Sequence, residues 1–217
     1  MSEYPATSEN NHQQNERAGY LSKWLSLLFW LIIPGTIAGL MGSNIFMTSA
    51  PGLYMAGQIL NALCTAASGF IFLKLSREED HYHIAAICAF VAAGASLLVS
   101  IISGAAETPN WTLFITIPAA IVALTGTSHE FKAHSSILFN VDHVLSEKWD
   151  FLWKWYIGTF IGMIGSVLLI LIVPIFGLLV FIIAAIAFII VSIIRLVTLY
   201  HTARDFKLLS MAPQSEG

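Results

Sequence analysis

Three blocks of this chain are long enough, and empty enough of charge, to decide what solvent it can fold in. Residues 24–73 lie between Lys23 and Lys74 without a charged side chain, residues 84–129 carry Glu107 alone, and residues 155–194 run uncharged from Lys154 to Arg195. The blocks are 50, 46 and 40 residues long. A membrane crossing needs ~20 apolar residues, because ~30 Å of hydrocarbon is covered at 1.5 Å per residue. Each block is therefore about two crossings. Composition agrees: 57% of the side chains are hydrophobic and 11% charged, against roughly a quarter charged in a soluble domain.

A block of two crossings needs a turn near its middle, and each has turn chemistry there. The punctuations are Ser49-Ala50-Pro51-Gly52, the stretch 104–110 with Glu107 and Pro109, and Pro174-Ile175-Phe176-Gly177. The expected fold class is an all-α integral membrane protein of six transmembrane helices, arranged as three helical hairpins in one compact bundle. The expected spans are 24–42, 52–73, 84–104, 109–127, 155–173 and 177–198. Residues 1–19 read as a disordered polar tail, 20–204 as the membrane domain and 205–217 as a short second tail.

Orientation follows from lysine and arginine, which are retained on the cytoplasmic side of short loops. Arg17 and Lys23 precede the first hairpin, and Lys74 and Arg77 follow it. Lys132, Lys148 and Lys154 precede the third, and Arg195, Arg204 and Lys207 follow it, which accounts for all ten basic residues. Both termini are expected inside. Tyr20, Trp24, Tyr82, Trp149, Trp153, Tyr156 and Tyr200 fall at inner ends and Tyr54 and Trp111 at outer ones, where amphipathic rings favour the headgroup layer. Trp30 sits deeper. The sequon Asn110-Trp111-Thr112 faces outward but lies too close to a helix to expect modification. The acidic start, with Glu3, Glu9 and Glu16 against Arg17, is unlike a cleaved signal. Together with the short loops, it fits a bacterial cytoplasmic membrane.

The first and third hairpins echo each other. Lys23-Trp24-x-x-Leu27-x-x-Trp30 matches Lys148-Trp149-x-x-Leu152-x-x-Trp155, and Gly35, Gly39 and Gly42 recur as Gly158, Gly162 and Gly165 with the same steps. Each glycine set forms a narrow smooth strip along its helix. Such strips let backbones approach closely in lipid, where packing replaces the hydrophobic drive between helices. Both strips are expected to pack against neighbouring helices. The third span, rich in Ala and Gly, is expected at the bundle centre.

Span two carries a polar stripe of Tyr54, Gln58, Asn61, Thr65 and Ser68 on one helical face. In hydrocarbon these groups must bond to neighbouring helices or line a wet path. No Asp, Glu, Lys, Arg or His falls in the middle of a span, which argues against a proton-coupled pump. The inner loop 128–150 is expected to hold an amphipathic helix over about 130–150, presenting Leu138, Val141 and Leu145 to a partner. Six histidines fall on the inner side, but His129 and His134 are five apart, whereas a zinc-protease helix needs a spacing of four. His81 and His83 with Glu78, Glu79 and Asp80 read as a solvated loop. Cys64 and Cys88 read as small core residues, with no Cys-x-x-Cys pair.

Neither a Gly-rich phosphate loop, a Gly-x-Ser-x-Gly elbow nor paired intramembrane acids occurs in the sequence, so no enzyme chemistry, cofactor or metal is expected. The scattered basic residues exclude a nucleic-acid footprint. Two functions remain: a non-enzymatic membrane component that binds a partner protein or lipid at its cytoplasmic face, or a small permease or channel for a neutral or lipid-like solute that uses the polar stripe.

Overall fold

The computed structural model describes residues 6–103 and 113–212, and among these every regular element is an α-helix. In chain order they are α1 (Ala6–Met41), α2 (Asn44–Ser49), α3 (Pro51–Leu75), α4 (His81–Ser103), α5 (Leu113–Leu138), α6 (His143–Ile172) and α7 (Pro174–Ser210). Five of them hold segments long and apolar enough to cross a membrane: His12–Met41, Pro51–Leu75, His81–Ile102, His143–Ile172 and Pro174–Ser210. α5 is not among the five. Its apolar run, 113–124, gives way to Thr125-Gly126-Thr127-Ser128-His129-Glu130. The turn expected over 104–110, and the Asn110-Trp111-Thr112 sequon, lie outside the described residues.

The helix boundaries follow the local chemistry. Pro51 and Pro174 each open a helix, where the missing N–H costs nothing and the fixed φ is already helical. Asp142 caps α6 by accepting a hydrogen bond from the Leu145 amide at 3.0 Å, which supplies a partner for an otherwise orphaned helix-start donor. Pro34 and Pro118 lie within α1 and α5, as membrane helices tolerate. The exterior is strongly apolar, with Phe114, Leu171, Ile172 and Ile175 all largely bare. Water would not tolerate an apolar surface on that scale.

The chain divides into two compact units, residues 1–130 with 200–217 and residues 131–199. α5 and α7 each contribute residues to both. In the first unit α3 packs against α1 and α4. α1 and α3 run antiparallel: Arg17 pairs with Glu78 at 2.5 Å and the Tyr20 hydroxyl donates to the Lys74 carbonyl at 2.8 Å, while Gly42 meets Gly57 at the other end. Gly69 lies against Ala86 and Ala89 of α4. The C-terminal part of α7 joins the same end, where the Ser22 hydroxyl donates to the Ala203 carbonyl at 3.0 Å and Phe29 meets the Tyr200 ring. Cys64 and Cys88 are both buried.

Two expected boundaries change. The tail taken as disordered over 1–19 is helical from Ala6, because Arg17 and the buried Ala18 find tertiary partners that a sequence cannot display. At the other terminus, α7 continues to Ser210 with Phe206 buried, so the expected tail from 205 begins instead beyond that helix. The separate amphipathic helix over 130–150 is also absent. α5 continues to Leu138, a turn covers 139–142, and α6 starts at His143. The cap at Asp142 explains the break.

Candidate functional site

The second unit is organised on the seam between α6 and α7. The helices run antiparallel, with Tyr156 against Phe188 at 5.5 Å between ring centroids and Gly162 against Ala184. The turn between them is tight: a side chain at Gly177 would collide with the backbone of Leu169 and Ile170. The end of α5 closes one end of this pair. Phe131 packs edge-on to the buried Trp149 at 5.4 Å, and Trp153 and Tyr156 surround it. The Arg195 guanidinium lies over the Phe131 ring at 5.4 Å, a cation–π contact that gains strength away from water. His134, fully buried, stacks on Trp149 at 4.4 Å. Ser146 donates to the Ser135 carbonyl at 2.9 Å and ties the start of α6 to α5. The sequence places Trp149 at an inner helix end, in the headgroup layer, and nothing in the linear order brings His134 and Phe131 onto it.

Along the α6/α7 seam run two grooves. One, of about 460 Å³, is lined by Phe151, Leu152, Trp155, Ile190, Val191 and Ile194, with Ala187, Thr198 and Lys148 completing it. The other, of about 450 Å³, is lined by Trp155, Gly158, Thr159, Gly162, Ile183 and Ala184, with Val180 and Lys154. Trp155 belongs to both. They therefore follow one another along α6, from Lys148 to Gly162. Each lies within the ~300–1,000 Å³ of small-molecule pockets, and the walls are almost wholly hydrocarbon. A lysine stands in each lining.

The residues expected to carry function are distributed differently. Gly35 and Gly39 of α1, and Gly42 just past its end, face α3, where side-chain atoms added to them would meet Cys64, Asn61 and the backbone of Gly57 and Gln58. In α6 only Gly162 has a neighbour; Gly158 and Gly165 face open space. The echoed segments differ as well: Leu152 is buried while Leu27 is exposed. Trp30, the deep tryptophan, is 65% exposed and edge-on to Phe29.

Three residues of the polar stripe of α3 bond to backbone. Gln58 donates to the Gly42 carbonyl at 2.8 Å, Thr65 to its own turn at Asn61 and Ser68 to Cys64, while Asn61 lies near Gly39 and Tyr54 is half-buried. Leu138 and Leu145 are buried in the second unit, and Val141, in the turn between α5 and α6, is 43% exposed. They do not share one open face, because the helix that would align them is interrupted at 139–142. Among the histidines, His81 and His129 meet nitrogen to nitrogen at 2.9 Å, so the two rings share one proton as donor and acceptor. His83 is exposed, and among the described residues no three His, Cys, Asp or Glu side chains cluster as a metal would require.

Compared with protein-family models, with curated proteins and with solved structures, the chain matches none.

Proposed function

We propose that this is a non-enzymatic, multi-pass component of the cell membrane, crossing six times as three helical hairpins with both ends in the cytoplasm, and that it binds lipid at its cytoplasmic side. One observation carries the lipid reading: the furrow along α6 and α7 is walled by hydrocarbon and has Lys148 in its lining. A groove of that composition suits an acyl chain better than a water-soluble ligand, because it has almost nothing to hydrogen-bond with. The permease reading is weaker, since Gln58, Thr65 and Ser68 of α3 already donate to backbone carbonyls.

Support for the topology comes from each unit separately. In the first, Arg17, Tyr20 and Lys74 gather at one end with Ala203, and His81 meets His129 there through α4 and α5. In the second, Lys148 and Thr198 line the same end of the seam, close in sequence to Arg195. α5 has a short apolar run, 113–124, and its continuation to Leu138 past Lys132 supports reading it as a span that emerges on the basic side.

The test has two arms. Single cysteines introduced beside Lys74 and Lys148 should resist an impermeant reagent added to intact cells, and labelling of either would overturn the topology. Purification in mild detergent followed by native mass spectrometry should find phospholipid retained in stoichiometric amount. Recovery of a protein partner with no lipid would replace this reading with the scaffold one.

A further inference from the structure

The lipid reading leaves the headgroup open, and the position of Lys148 narrows it. The uncharged run of α6 begins at Trp155, after Lys154, so Lys148, seven residues or about 10 Å earlier along the helix, lies at the headgroup layer. From there the furrow continues to Gly162, 14 residues on or about 21 Å. The last ~10 Å of it, from Trp155, lies within the ~15 Å depth of one leaflet's hydrocarbon.

We infer, resting on the lipid reading above, that the α6/α7 furrow selects a phospholipid with an anionic headgroup, its phosphate at Lys148 and one acyl chain laid past Trp155 toward Gly162. Lys148 is exposed at the furrow's upper end, and Phe151, Trp155 and Ile194 are each about half bare despite lining it. Below Lys148 the lining holds no other cation until Lys154, which opens the second groove beside Gly158. Gly158 and Gly162 leave the floor of that second groove without side chains, so the chain can lie close to the α6 backbone. A cation at the inner headgroup level attracts anionic lipid by about 1 kcal/mol, or roughly fivefold in population. With Lys148 the one cation among the residues lining the first groove, that attraction acts at one site between helices rather than spread over the surface.

The test uses the full chain in nanodiscs of zwitterionic phospholipid containing one fifth phosphatidylglycerol, followed by release into mild detergent and native mass spectrometry of the lipids retained. The wild type should retain phosphatidylglycerol and zwitterionic lipid in a ratio about fivefold above that supplied, so that phosphatidylglycerol makes up roughly half of the bound lipid. Lys148→Gln should retain lipid but lose the enrichment, and Lys148→Glu should invert it, while Lys132→Gln, an exposed lysine outside the furrow, should change nothing. Ala187→Phe, which narrows the groove, should reduce retention of both lipids, and Ala187→Leu gives the same trend if the larger ring prevents folding. Unchanged enrichment in Lys148→Gln would overturn the anionic selectivity while leaving lipid binding intact. Unchanged total retention in both Ala187 variants would overturn lipid binding in the furrow altogether, as would a mass showing a second copy of this chain in place of lipid.

Discussion

The side-chain amide of Gln58 donates to the carbonyl oxygen of Gly42 at 2.8 Å, at the point where α1 and α3 come closest. The approach is possible because Gly57 lies beside Gly42, and a methyl group on either would run into the other helix's backbone. A polar group that looked like the lining of a conduit is thus a clasp between two helices. Gln58→Leu should lower stability by about 0.6 kcal/mol, the usual worth of such a bond in a membrane protein. Gly57→Leu should prevent the two helices from packing at all. Thermal unfolding in detergent separates the two outcomes, and equal losses would contradict the clasp.

The two glycine strips make opposite predictions despite identical spacing. Gly42→Leu should destabilise by the ~1–3 kcal/mol of overpacking, because its neighbours are α3 backbone atoms that cannot move aside. Gly158→Leu should stay within about 0.5 kcal/mol of wild type, because open space surrounds that position. Melting temperatures of the two variants in the same delipidated micelles check this, and a large loss in Gly158→Leu would mean that this face of α6 has a protein neighbour.

Trp149 and Trp30 occupy different positions of the echoed motif and should differ sharply in cost. Trp149 is fully buried against His134 and Phe131, so Trp149→Ala should lose about 3–5 kcal/mol. Trp30→Ala, on a largely exposed ring, should lose a fraction of that. Denaturant unfolding in mixed micelles gives both values.

Arg17 and Glu78 join the start of α1 to the turn after α3, but the arginine is more than half exposed. Solvent screening limits such a pair to about 0.2–1 kcal/mol. A double-mutant cycle with Arg17→Gln and Glu78→Gln should return a coupling in that range, and the coupling should shrink in 1 M salt, where the screening length falls to about 3 Å. A salt-independent coupling would mean the pair is more deeply buried than its exposure indicates.

Residue order alone determined the all-helical membrane character of this protein, because uncharged runs of 40 to 50 residues leave hydrocarbon as the only solvent that suits them. It also located the helix starts at Pro51 and Pro174 and the burial of Cys64 and Cys88, since these depend on local chemistry and on a period of 3.6 residues. Tertiary structure decided what those faces meet. The same glycine spacing is a tight interface in α1 and a bare floor in α6, and Leu138 and Leu145 are core rather than surface. The helical start of α1 depends on partners sixty or more residues away, as does the furrow on two helices joined by a turn. A helical period tells which residues share a face, but the partner of that face is fixed only when distant helices compete to cover it.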